Sequence, residues 1–218
     1  MFSPNNKEEI TMRVLFQGDS ITDCGRHREA VEPNVGLGSG YAMLAGGRLL
    51  ADHPEKKIQV YNRGIGGNRV VDLYARWKVD ALNMRPDVLS ILIGVNDTWH
   101  AFGSNNGVGV ERYGRIYHEI LTWTKQALPE IKIVLCEPFV LEFGAVANEW
   151  LEEIDDRRKI VKNLSKEFDL PFVPIQSVLN DALKQAPPKY WLNDGVHPSL
   201  AGHQLIADQW MKATKDFF

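Results

Sequence analysis

Five short runs of branched apolar residues, separated by stretches of helical length, leave this chain few ways to fold. They fall at residues 14–16 (VLF), 58–61 (IQVY), 88–93 (VLSILI), 131–135 (IKIVL) and 172–175 (FVPI). Runs this short and this rich in Val, Ile and Phe read as strands. The run at 88–93 is almost continuously apolar, the pattern of a strand covered on both faces, which places it near the centre of a sheet. Between the runs, Trp150, Ile154, Val161, Leu164 and Phe168 recur at helical spacing with only Arg157 interrupting, and so mark the inner face of a helix. Further helices are expected at 41–51, 70–84, 110–128, 176–184 and 198–213. Strands alternating with helices require right-handed crossovers, and so an α/β fold in which helical layers cover a parallel sheet.

At 218 residues the chain has room for one hydrophobic core and too little for two ordinary domains plus a linker, so residues 1–218 are read as one domain. A net charge of -3 with both signs interspersed offers no field for a phosphate backbone, which argues against a nucleic-acid partner and for a small molecule. Homo-oligomerisation is left open. Two cysteines, Cys24 and Cys136, make no disulfide framework and fit a reducing compartment. The first residues carry Asn5, Asn6, Lys7, Glu8 and Glu9 where a secretory leader would be apolar, and no stretch reaches membrane-spanning length. A cytoplasmic location with no membrane partner is the expectation.

The segments after the strands, at 18–40, 64–68, 94–109, 138–147 and 186–197, are rich in Gly, Asn, Asp and aromatic residues. In an open parallel sheet, ligands bind beyond the carboxyl ends of the strands, so these segments should share one functional face. Ser20, in Gly18-Asp19-Ser20-Ile21, follows the first strand, where a turn can expose a nucleophilic hydroxyl. The same tripeptide is also ordinary turn chemistry, and the Gly-x-Ser-x-Gly elbow of α/β-hydrolases is absent. A serine nucleophile needs a base whose other ring nitrogen is held by an acceptor; Asp194 and His197, three apart before Pro198, supply both, or else form a helix-capping turn. The oxyanion of acyl transfer needs donors. The Gly67 amide and the Asn96 side chain are the candidates, with a glycine turn and loop capping as their plain alternatives. Asp19, Asp23 and Asp97 compete with Asp194 for the acid role, but none neighbours the base. Arg26 and His27 fit a solvated loop better than a pocket wall, and His203 fits a packed or exposed helix position. What distinguishes the set is that its members follow different strands yet converge on one edge.

These residues resemble the four signature blocks of SGNH (GDSL) hydrolases: Gly-Asp-Ser-Ile at Ser20, Asn-x-Gly-Ile-Gly-Gly-Asn at Gly67, Gly-Val-Asn-Asp at Asn96 and Asp194-x-x-His197. Order and spacing agree along nearly the whole chain, with one departure at Gly66, where many members carry serine. The resemblance implies a three-layer α/β/α sandwich on a five-stranded parallel sheet. It also implies a triad of Ser20, His197 and Asp194, and an oxyanion hole from the Ser20 amide, the Gly67 amide and Asn96. Residues 19–26, 96–99 and 197–203 are similar to the bacterial branch that includes acetylxylan esterases, which implies a small acyl group on a carbohydrate. No metal or organic cofactor is implied.

The expected activity is therefore two-step ester hydrolysis through an acyl-enzyme on Ser20, with an acetylated carbohydrate or oligosaccharide as substrate. Trp99, Tyr190 and Trp191 are the candidates for contacting it, with closure of the core beneath the loops as the plain alternative. Lipase, lysophospholipase or acyl thioesterase activity is the alternative within the family. Two rivals lie outside it. A metal-dependent hydrolase would use Asp194, His197 and His203, for which no recognised ligand spacing exists. A catalytically silent carbohydrate-binding protein is the other.

Overall fold

The computed structural model describes residues 11–218; the leaderless reading of the first residues falls largely outside that range. The strands are β1 (Arg13–Gly18), β2 (Gln59–Asn62), β3 (Val88–Leu92), β4 (Lys132–Cys136) and β5 (Phe172–Val173), all parallel in the order β2-β1-β3-β4-β5. The helices are α1 (Ser20–Asp23), α2 (Tyr41–Asp52), α3 (Val70–Asp80), α4 (Val95–Ser104), α5 (Val110–Ala127), α6 (Trp150–Glu167), α7 (Ile175–Ala182), α8 (Pro188–Trp191) and α9 (Leu200–Ala213).

Alternation along the strands divides the core in two. Val14, Phe16, Val88, Leu92 and Val134 pack on one face of the sheet with Tyr41 and Leu49 of α2 and Ile206 and Trp210 of α9. Leu15, Leu89, Ile91, Ile133 and Leu135 pack on the other with Leu73 and Trp77 of α3 and Tyr117, Ile120 and Leu121 of α5. The result is the three-layer sandwich expected. All of β3 is buried, consistent with its almost continuous apolar run. The indoles keep their polar edges satisfied: Trp77 Nε1 donates to Thr124 Oγ1 (2.8 Å) and Trp210 Nε1 to Ser90 Oγ (2.9 Å).

Several boundaries differ from expectation for local reasons. β5 is only two residues long because Pro174 has no N–H to continue the ladder and Ile175 opens a helix. The helix expected over 70–84 ends at Asp80, after which Leu82–Met84 forms a separate 3-10 turn closed by Arg85 at φ +48°. The stretch 94–109, where no helix is expected, contains α4. Gly94 at φ +139° turns the chain into it, a conformation few other residues adopt, and a Cβ there would lie 2.9 Å from Tyr113 Oη. Arg157, which breaks the apolar stripe of α6, is nevertheless fully buried: its guanidinium reaches the Val108 carbonyl and Glu153 and lies 5.6 Å from the Tyr113 ring centroid. No helix among the described residues is long and apolar enough to cross a membrane.

Candidate active site

Beyond Gly18 the backbone turns at once. Asp19 caps α1 by accepting from the Ile21 amide (3.0 Å), which makes Ser20 the first residue of a four-residue helix. At that position a backbone N–H has no acceptor within the helix.

The turn after α8 supplies the facing wall. Asp194 Oδ1 accepts from the backbone amides of His197 (2.8 Å) and Val196 (3.0 Å), while Oδ2 lies 2.7 Å from His197 Nδ1. With Oδ1 occupied by backbone donors, Oδ2 accepts from the ring N–H at Nδ1, and Nε2 is left as an acceptor. Ser20 Oγ lies 2.9 Å from that Nε2 and donates to it. Burial alone would raise the Asp194 carboxyl, but the His197 amide, the His197 ring and the Val196 amide outweigh it and hold the group below its ordinary value. This turn is itself laced to the segment between β4 and α6: Leu141 N donates to Gly195 O (2.9 Å) and Ala145 N to Asp194 O (2.8 Å).

On the other side of Ser20 lies the segment after β2. Gly67 adopts φ +80°, with open space where a side chain would stand, and a Cβ on Gly66 would come within 3.7 Å of Ser20 Cβ. Asp23 ties this segment to the serine turn, accepting from Gly66 N (3.1 Å) through Oδ2 and from Arg26 N (3.2 Å) through Oδ1. Asn62 adds a second tie, donating to Thr22 O (2.6 Å). Asn96, buried in the first turn of α4, donates one amide hydrogen to Asn68 O (3.1 Å), which brings its side chain to the Gly67 segment. Its neighbour Asp97 accepts from the Val70 amide with both oxygens (3.1 and 3.2 Å) and so pins the start of α3 to the start of α4.

The roles of Asp23, Asn62 and Asp97 in binding these segments together were not legible beforehand. The residue types were visible as turn formers; their partners Gly66, Thr22 and Val70 lie in segments that follow other strands. Burial raises the carboxyls of both Asp19 and Asp97 to about 7, and both remain occupied by backbone donors, while the acid at His197 Nδ1 is Asp194. Arg26 donates to Gly64 O (2.6 Å). His27 lines a cavity of about 470 Å³ with Cys24 and Asn34. His203 accepts from the Tyr41 amide at Nδ1 (3.1 Å) and faces Cys24 Sγ at 3.3 Å. Burial, then the nearby His197, lowers it to about 4, so it is neutral at pH 7. Among the described residues there is no group of three or more His, Cys, Asp or Glu able to hold a metal ion.

The aromatic candidates separate. The Trp99 ring lies 5.8 Å from that of His197 and 5.3 Å from that of Trp150, and Phe102 stacks on Trp150 at 6.2 Å and 13°. Trp191 instead donates from Nε1 to Ala182 O (3.1 Å) and Ala186 O (3.2 Å), closing the turn before α8, and Tyr190 packs edge-on against it. Among the described residues, neither of this second pair makes a ring contact with His197.

Known proteins resemble this chain in sequence and fold. The GDSL-like lipase/acylhydrolase family matches residues 16–205. An acetylxylan esterase from Geobacillus stearothermophilus is 38% identical over 206 residues, 92% of each chain. Thioesterase 1/protease 1/lysophospholipase L1 from Escherichia coli K12 is 26% identical over 178 residues, covering 80% of this chain and 77% of that protein. Among solved structures, a GDSL-like lipase from Parabacteroides merdae superposes with a TM-score of 0.92 at 45% identity, covering 97% of this chain and 99% of that one. The Geobacillus stearothermophilus acetylxylan esterase Axe2 gives 0.85 at 36% identity, covering 94% and 95%. With sequence and fold in agreement, the chain belongs to the GDSL-like lipase/acylhydrolase family and is a carboxylic ester hydrolase.

Proposed function

We propose that residues 1–218 form one catalytic domain that removes small acyl groups, acetyl above all, from carbohydrate esters through a Ser20–His197–Asp194 triad. One observation carries the mechanism: hydroxyl, imidazole and carboxylate stand in series at 2.9 and 2.7 Å. His197 Nε2 accepts the Ser20 proton as Oγ attacks the ester carbonyl, then delivers it to the departing alcohol. Water, deprotonated by the same nitrogen, releases the acid from the acyl-serine. The Ser20 amide, the Gly67 amide and the remaining Asn96 amide hydrogen are the donors for the oxyanion. Asp194 fixes the ring tautomer and stabilises the imidazolium. The chemistry as written uses protein groups alone.

The preference for carbohydrate acetate rests on the similarity to acetylxylan esterases and on the aromatic surface beside His197. The unpaired thiols Cys24 and Cys136 suit a reducing compartment and so support the cytoplasmic reading. The similarity to a thioesterase/lysophospholipase favours a second reading, in which long acyl chains are the cargo. Hydrolysis rates on acetyl, butyryl and octanoyl esters, measured on the parent and on Ser20→Ala, test both. We expect acetyl to be fastest and Ser20→Ala to lose at least about a thousandfold while keeping its melting temperature. An octanoyl preference selects the second reading, and turnover undiminished in Ser20→Ala removes the mechanism.

A further inference from the structure

The direction in which an ester must lie across this site follows from the triad. The departing alcohol oxygen receives its proton from His197 Nε2 and must sit within hydrogen-bonding reach of it, about 2.6–3.2 Å. The carbonyl oxygen points the other way, toward the Gly67 and Asn96 donors. A surface beside the imidazole is therefore placed to meet the alcohol half of the substrate.

That surface is aromatic and built in depth. Trp99 is the ring beside His197. Phe102, three residues on along α4, shares its side of the helix. Trp150, at the start of α6 and only 4% exposed, packs behind both: tilted 55° against Trp99 and nearly parallel, at 13°, against Phe102. Phe102 is 46% exposed. A large apolar ring left in water and lying nearly parallel to a buried indole presents a flat face to solvent. Phe102 is thus the outward continuation of a surface that begins at the catalytic imidazole.

A pyranose ring has a face of axial C–H groups that suits such a surface, and its hydroxyls remain in solvent. We propose that Trp99 and Phe102, backed by Trp150, form an alcohol-side subsite whose ligand is a pyranose ring of an acetylated oligosaccharide. The inference rests on the carbohydrate-ester reading above and sharpens it: these rings select the leaving group and are indifferent to the acyl chain.

Both halves of the statement are measurable because all acetyl esters pass through the same acetyl-enzyme. Removing an alcohol-side contact changes acylation, read in kcat/KM, and leaves the shared deacylation step alone. The test compares peracetylated xylobiose with ethyl acetate on the parent, Phe102→Ala and Phe102→Tyr. Withdrawing roughly 55 Å² of apolar contact predicts about a tenfold fall in kcat/KM on the xylobiose ester for Phe102→Ala. On ethyl acetate the change should stay below about twofold, and Phe102→Tyr, which keeps the flat ring, should restore the parent value on the sugar ester. Equal losses on both substrates, or none on the sugar ester, overturn the subsite while leaving the carbohydrate reading in place. A parent that cleaves ethyl acetate but not the xylobiose ester overturns both.

Discussion

Exchanging the Asp194 carboxylate for its isosteric amide should silence the site by a route that the hydrogen bonds dictate. In the native turn Oδ1 accepts from two backbone amides, at 2.8 and 3.0 Å, while Oδ2 faces the ring. In Asp194→Asn the amide oxygen is forced to the Oδ1 position, since the opposite orientation would set an NH2 group against two backbone N–H donors, each loss worth about 1–3 kcal/mol. The NH2 group then stands where Oδ2 stood and donates to Nδ1. The ring proton is driven to Nε2, and the nitrogen facing Ser20 becomes a donor that can no longer accept the hydroxyl proton. A wrong tautomer of this kind lowers kcat by about 10⁴, or about 5 kcal/mol of transition-state stabilisation. Because the two backbone bonds survive, the fold should not suffer, and melting should shift by no more than about 2 °C. Initial rates on p-nitrophenyl acetate with an active-site titrant, together with a thermal melt, provide the assay. A variant that keeps more than a tenth of parental kcat with an unchanged melt would refute the claim that this carboxylate sets the tautomer.

Removing the proposed oxyanion donor by Asn96→Ala should lower kcat by about 10²–10³ with little change in KM, and should cost about 1 kcal/mol of stability through the orphaned Asn68 carbonyl; a loss confined to KM would point to a role in substrate binding instead. His203 makes a prediction about acid. Its folded value of about 4 lies below the ordinary 6.5, so between these the unfolded chain binds the proton that the folded chain refuses, and stability falls as pH drops through that window. His203→Gln cannot take up that proton, and the loss of unfolding free energy between pH 7 and pH 4.5 should be smaller by about 2.5 kcal/mol than in the parent, by urea titration at both pH values. An equal loss in the two proteins would show that another group carries the acid sensitivity.

Much of the architecture could be read from the chain because its strongest signals are local. Branched runs mark the strands, and each block of the site follows one of them. Where expectation and structure part, the deciding partner is distant in sequence. Residues 94–109 look like a loop because Gly94, Asn96, Asp97 and Gly103 are poor helix formers; α4 exists because Asp97 clasps the Val70 amide and Trp99 packs on Trp150. Arg157 looks like a break in an apolar stripe, and only the fold reveals the Val108 carbonyl that makes its burial tolerable. Trp191 also has a local role that spacing alone does not disclose, its indole N–H being taken by carbonyls five and nine residues earlier. Phe102 carried no signal until α4 was known to be helical; with that, its position three residues after Trp99 becomes meaningful.

The lacing of the 138–149 segment to the Asp194 turn bears on redesign. That segment is an obvious cassette to transplant from a cousin with another acyl taste, being long, irregular and clear of the nucleophile's own turn. Its amides at Leu141 and Ala145, however, hang on the carbonyls of Gly195 and Asp194. A graft that changes its contour shifts the turn that carries His197, so the cassette should be exchanged together with residues 193–197 if the proposed base is to keep its place.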